Sequence, residues 1–88
     1  MKYKRKYQEV TALEWDGTHA GMQKIKAIFP TLQTAQISMS KDGLNILYWS
    51  IRTPEGEKLV NRYNFVVQAD GDYFVIKRDS FNKTYEII

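Results

Sequence analysis

The sequence contains no cysteine and a single histidine, His19. The lack of cysteine excludes a disulfide framework, a thiol nucleophile and a thiolate metal site. One histidine argues against a histidine-based metal centre, and we expect neither a metal nor another cofactor. Long apolar runs are also missing, because the longest, Ile46–Trp49 and Tyr73–Ile76, are too short to span a bilayer. We therefore expect a soluble intracellular protein.

The 88 residues have a net charge of +3, but this charge is unevenly distributed. Residues 1–7 hold four basic side chains and no acid, which leaves 9 basic and 10 acidic residues in the rest of the chain. The basic segment could pass for the start of an export signal, but Gln8 and Glu9 follow where an apolar stretch would be needed. The length predicts a single domain over residues 1–88, with its excess positive charge confined to one terminal segment.

The clearest local signal is the pair Asp70-Gly71. On either side lie runs rich in β-branched and aromatic residues, Glu57–Ala69 and Asp72–Arg78. Asp-Gly tolerates the positive φ that both central positions of a type I′ turn require. The sequence therefore predicts a β-hairpin here.

One helix is predicted between Thr18 and Pro30. The Thr18 hydroxyl is a suitable N-cap, and Pro30 lacks the amide needed to continue the helix. Four apolar residues follow one face at offsets of 0, 3, 6 and 7, namely Met22, Ile25, Ile28 and Phe29. We expect this stripe to pack on the sheet.

Alternating or strand-like patterns recur elsewhere along the chain. They cover residues 2–7, 11–15, 34–40, 44–52 and 83–88. In the segment 44–52, Leu47, Trp49 and Ile51 form an apolar face. Further along the chain, Asp79 is expected to cap a short helical turn through Phe81. The predicted fold class is α+β, an antiparallel sheet of five to seven strands with one α-helix on one face, and both chain ends tied into the sheet.

Both ends of the chain also carry a resemblance. Val10-Thr-Ala-Leu-Glu-Trp15-Asp-Gly17 follows a basic start, and Gly71-Asp-Tyr-Phe74 precedes Phe81-Asn-Lys-Thr-Tyr-Glu86. These motifs resemble a family of short uncharacterised proteins from bacteriophages and prophages of Gram-positive bacteria. The chain departs from that family at Tyr7, where the family has Pro, and at Arg62-Tyr63-Asn64, where the family has Pro-Gly-Asp. The resemblance implies a phage or prophage origin and little else. With no export signal evident, we expect the protein in the cytoplasm of the bacterial host.

No catalytic constellation is evident from the sequence. The acid pairs Glu55/Glu57 and Asp70/Asp72 each bracket a glycine in a predicted turn, where carboxylates are ordinary turn formers. His19 has no identifiable nucleophile or orienting partner. We predict that the protein is not an enzyme.

Two classes of binding function remain. The first is binding of a host protein through aromatic and arginine side chains on an uncovered face, with Tyr48, Arg52, Arg62 and Asn64 as candidate residues. Such a face would also permit a homodimer. The second, less favoured class is single-stranded nucleic acid binding by the basic start, Lys2, Tyr3, Lys4, Arg5 and Lys6. The same lysines could instead protect a sheet edge. A third option is a small ligand bound at a dimer interface, for which the sequence gives no evidence either way.

Overall fold

The computed structural model describes residues 2–5 and 8–87, with side chains described from residue 10 to residue 85. Eight strands and two helices lie within these residues. In chain order they are β1 (Lys2–Arg5), β2 (Gln8–Glu14), α1 (His19–Ile28), β3 (Thr34–Met39), β4 (Ile46–Thr53), β5 (Gly56–Val60), β6 (Phe65–Ala69), β7 (Asp72–Ile76), α2 (Arg78–Thr84) and β8 (Tyr85–Ile87).

The strands form two antiparallel sheets in the described part of the chain. A five-stranded sheet has the order β7-β6-β2-β1-β8, and a three-stranded sheet has the order β3-β4-β5. The predicted α+β class and antiparallel pairing are confirmed, but the prediction of a single sheet with one helix is wrong. The terminal strands β1 and β8 pair with each other, with Tyr3 opposite Ile87, which confirms that both ends are tied into the sheet.

The predicted hairpin joins β6 and β7. Asp70 and Gly71 have φ values of 52° and 82°, so both central positions have the positive φ of a type I′ turn. The preceding run, however, is not one strand. It divides at a turn over residues 61–64, where the amide of Asn64 donates to the carbonyl oxygen of Asn61 at 3.0 Å. This turn sends β5 and β6 into different sheets.

The cap of α1 is confirmed, because the Gly21 amide donates to the Thr18 hydroxyl at 2.9 Å. Met22, Ile25 and Phe29 of the predicted apolar stripe are buried. Ile28, the fourth member, is 46% exposed, so the prediction was wrong for this residue.

The second helix, α2, was not expected at its full length. Its N-cap is Lys77, and Asp79 lies in its first turn instead of capping it. Phe81 is fully buried and stacks between Phe65 and Tyr85, with ring centroids 4.0 and 4.5 Å away. This stacking fixes α2 against the five-stranded sheet.

Two apolar clusters lie on opposite faces of the five-stranded sheet. On one face, β2, β6 and β7 pack against α1 and the three-stranded sheet, and Trp15 meets Trp49 edge to face at 5.8 Å. Both tryptophans are buried. On the other face, Val10, Ala12 and Val67 pack with the Phe81 cluster. Neither helix of the described residues is long and apolar enough to cross a membrane.

Candidate protein-binding surface

The three-stranded sheet packs one face on the core and turns the other outward. Alternation along β4 places Trp49 and Ile51 inward, both fully buried. The cross-strand register then assigns the opposite side: Ser50 lies between Gln36 and Leu59, and Arg52 opposite Glu57. We call this side the outer face, formed by Gln36, Ser38, Tyr48, Ser50, Arg52, Glu57 and Leu59.

Large apolar side chains are left partly uncovered at the centre of the outer face. Tyr48 is 46% exposed and Leu59 is 52% exposed. Ser50, which lies opposite Leu59 and two residues from Tyr48 in β4, is fully buried. Its hydroxyl has no hydrogen-bond partner among the described residues. The centre of the outer face is therefore apolar, with charged residues such as Arg52 and Glu57 at one end.

A β-bulge enlarges this exposed surface. The register passes from Ser38 opposite Tyr48 to Met39 opposite Ile46, so Leu47 is the extra residue. The bulge turns Ile46 toward the core and leaves Leu47 64% exposed. The prediction that Leu47 shares an apolar face with Trp49 and Ile51 is therefore wrong for Leu47. The bulge changes the alternation at this residue, and the sequence contains no signal for it.

The four predicted contact residues do not form one site. Tyr48 and Arg52 share the outer face, as expected from their spacing of four in one strand. Arg62 and Asn64 lie outside any strand, in the turn between β5 and β6. The main chain of Asn64 is used in folding, because its carbonyl oxygen accepts from the Trp15 amide at 3.0 Å.

No protein-family model, curated protein or solved structure matches this chain.

The turn of Arg62 contains a second exposed cluster. Tyr63 is 41% exposed, and the guanidinium carbons of Arg62 and Arg78 lie 5.0 and 4.6 Å from its ring centroid. Arg78 also donates to a carboxylate oxygen of Glu14 at 2.6 Å. This hydrogen bond, with the negative charge of Glu14, raises the pKa of Arg78. The cluster therefore holds its arginines in place around one aromatic ring.

Tyr63 has a φ of 69°, which is unusual for a residue with a large side chain. A positive φ at the third residue of a turn is typical of type II, which favours proline before it and glycine at it. This chain has neither of these residues, since Arg62 and Tyr63 occupy the two positions.

Sequence reasoning missed Leu59, Tyr63 and Arg78. Leu59 could have been found, because two-residue alternation from Glu57 puts it on the side opposite the buried Val60. Arg78 and Glu14 are 64 positions apart, and no local pattern connects them.

The basic start of the chain is an interior strand. β1 lies between β2 and β8, so the prediction of lysines that protect a sheet edge is wrong. Lys4 has Glu9 opposite it in β2 and Glu86 opposite it in β8. Two acidic residues therefore occupy the register positions beside one of the predicted phosphate contacts. Lys6, the last residue of the predicted nucleic-acid site, lies outside the described residues.

Proposed function

We propose that this protein is a non-enzymatic accessory protein of a bacteriophage or prophage that binds a host protein in the bacterial cytoplasm. The contact surface is the outer face, with Tyr48 and Leu59 as apolar anchors and Arg52 beside them. An inhibitor of a host defence protein is one concrete form of this function. The phage origin is supported by the resemblance of the two terminal motifs.

One observation carries the choice of surface. Tyr48 and Leu59 lie on the same uncovered side of the three-stranded sheet, and both are about half exposed. Burying such side chains contributes roughly 25 cal/mol for each Å² of apolar area removed from water. Tyrosine and arginine are also the residue types enriched at the energetic centres of protein interfaces. The outer face therefore has the composition of a contact surface.

The alternative is a nucleic-acid-binding module that uses β1. The two acidic residues at the register positions beside Lys4 argue against it, because they offset part of the basic charge that this segment contributes to the sheet. Deleting residues 2–6 is a poor test, since β1 pairs with both β2 and β8 and its loss would break the sheet. Replacing Lys2, Lys4, Arg5 and Lys6 with glutamine keeps the strand and removes the charge.

The experiment is capture of binding proteins from a lysate of a Gram-positive host, treated with nuclease. Our proposal expects a discrete host protein to be retained by the wild type and by the glutamine variant. It expects the variant Tyr48→Ala/Leu59→Ala to lose that protein. Loss of capture in the glutamine variant alone, together with salt-sensitive binding of a single-stranded oligonucleotide, would favour the alternative. A concentration-dependent dimer that the double alanine variant abolishes would instead assign the outer face to a second copy.

A further inference from the structure

Strand β7 is the last strand of the five-stranded sheet, and only β6 pairs with it among the described residues. The two strands are joined by the two-residue turn Asp70-Gly71, so Ala69 and Asp72 flank the turn as opposed residues. In a two-residue hairpin this flanking pair is hydrogen bonded, and bonded and non-bonded pairs then alternate along the ladder. The main-chain N–H and C=O groups of Tyr73 and Val75 therefore face away from β6.

A groove follows this free edge. Two clefts, of about 400 and 350 Å³, lie along β7 and share Thr53 and Asp72 in their linings. The larger cleft is bordered by Val75 and the smaller one by Tyr73. The turn after β4 forms the opposite wall of both clefts. We call the two clefts together the β7 groove.

The lining of the larger cleft combines apolar and acidic residues. The side chains of Phe74, Val75 and Ile76 supply its apolar part. Its charged residues are three acids and one base, Glu55, Asp70, Asp72 and Lys58. The smaller cleft adds one base, Arg52. The excess of acid therefore lies in the larger cleft, which is complementary in charge to a basic segment and in polarity to one that also carries apolar side chains.

We propose that the β7 groove binds an extended basic segment of a partner protein, which adds to the sheet as a strand beside β7. Main-chain hydrogen bonds to Tyr73 and Val75 supply the pairing, as in other cases of strand addition to a sheet edge. Alternate side chains of the segment reach the apolar lining and the carboxylates of Glu55 and Asp72. Of the residues of the outer face, Arg52 borders the smaller cleft, but neither anchor, Tyr48 or Leu59, lines the groove. The inference rests on β7 and the larger cleft, so it does not depend on the function proposed for the outer face.

Amide hydrogen exchange followed by NMR tests the pairing directly. The probe is the peptide acetyl-Lys-Val-Lys-Val-Lys-amide, and acetyl-Glu-Val-Glu-Val-Glu-amide is its control. In the free protein the amide of Val75 should exchange faster than that of Phe74, whose N–H points toward β6. Saturation with the basic peptide should slow exchange of the Val75 amide by at least about tenfold, and the acidic peptide should leave it unchanged. Unchanged exchange with the basic peptide would overturn the proposal.

Two sets of variants make the test specific. Val75→Pro removes the outward amide, a change that an edge strand tolerates when the N–H points away from its neighbour, and it should abolish peptide binding. Glu55→Gln/Asp72→Asn should weaken binding of the basic peptide about tenfold, whereas the matched Glu57→Gln on the outer face should not. If the proline variant does not fold, the charge variants decide the question. Equal binding of the basic peptide by the wild type and by all of these variants would contradict the proposal. Protection of the Val75 amide from exchange that rises with protein concentration in the absence of peptide would also contradict it.

Discussion

The carboxylate of Asp16 occupies the space that a side chain on Gly21 would need. One carboxylate oxygen of Asp16 accepts from the amide and the hydroxyl of Thr18, at 2.9 and 2.6 Å. Thr18 in turn caps α1 by accepting from the Gly21 amide. Glycine ordinarily weakens a helix, and here it is required by the close approach of Asp16. The three residues therefore act together at the start of α1.

This arrangement predicts that the effect of Gly21→Ala on the free energy of unfolding depends on the residue at position 16. In the wild type, the added methyl group displaces Asp16 and disturbs the cap, which should lower the free energy of unfolding by about 1 kcal/mol. In an Asp16→Ala background, the same change should be neutral or stabilising by up to about 1 kcal/mol, because alanine is the better helix former. The added Cβ would then lie 3.1 Å from the Thr18 hydroxyl, a contact that a small shift relieves.

Urea denaturation of the four proteins in this double-mutant cycle measures the coupling. The matched control is Ala27→Gly, an exposed position of α1, where glycine should be the less stable residue in both backgrounds. Equal effects of Gly21→Ala in the two backgrounds would show that Asp16 does not act on this site.

The same carboxylate predicts an acid-dependent loss of stability. Hydrogen bonds from Thr18, with a smaller effect of the positive charge of Arg62, hold the pKa of Asp16 below its ordinary value of 3.8. A group with a lowered folded-state pKa stabilises the fold above the unfolded pKa, and its contribution is lost as the pH falls through the folded pKa. The difference in melting temperature between the wild type and Asp16→Asn should be constant well above pH 3.8 and shrink as the pH falls through this value and below it. A difference that grows on acidification would contradict this assignment.

The positive φ of Tyr63 predicts an unusual order of stability at that position. Tyr63→Ala and Tyr63→Gly both remove the ring between Arg62 and Arg78, but only glycine relieves the left-handed backbone. Tyr63→Gly should therefore be more stable than Tyr63→Ala by about 1 kcal/mol, as measured by urea denaturation. At most positions glycine is the less stable of the two. Equal stability of the two variants would show that the turn carries no strain.

The sequence predicted the parts of the fold that depend on near neighbours. The type I′ turn at Asp70-Gly71 and the cap at Thr18 follow from the chemistry of one or two residues. The division into two sheets does not, because it depends on the turn over residues 61–64, and Tyr63 is a poor residue for a positive φ. A chain with glycine at that position would have signalled the turn.

The candidate surface was predictable only in part, for a similar reason. The spacing of Tyr48 and Arg52 placed them on one face, which the structure confirms. Leu47 could not be placed, because a β-bulge at a residue other than glycine leaves no local signal. The exposed cluster around Tyr63 joins β2, the 61–64 turn and α2, and such contacts depend on the whole fold.

The central claim is that the outer face is the surface that binds a partner, and a matched pair of variants tests it most directly. Tyr48 and Ile28 are both 46% exposed, but Tyr48 lies on the outer face and Ile28 on α1. The measurement is the affinity of the captured host protein for Tyr48→Glu and for Ile28→Glu, after melting curves show that both variants fold. Our account predicts that Tyr48→Glu weakens binding at least about a hundredfold, as expected when a charge is introduced at an interface anchor, while Ile28→Glu binds like the wild type. Equal affinities for the two variants, or a loss confined to Ile28→Glu, would contradict it.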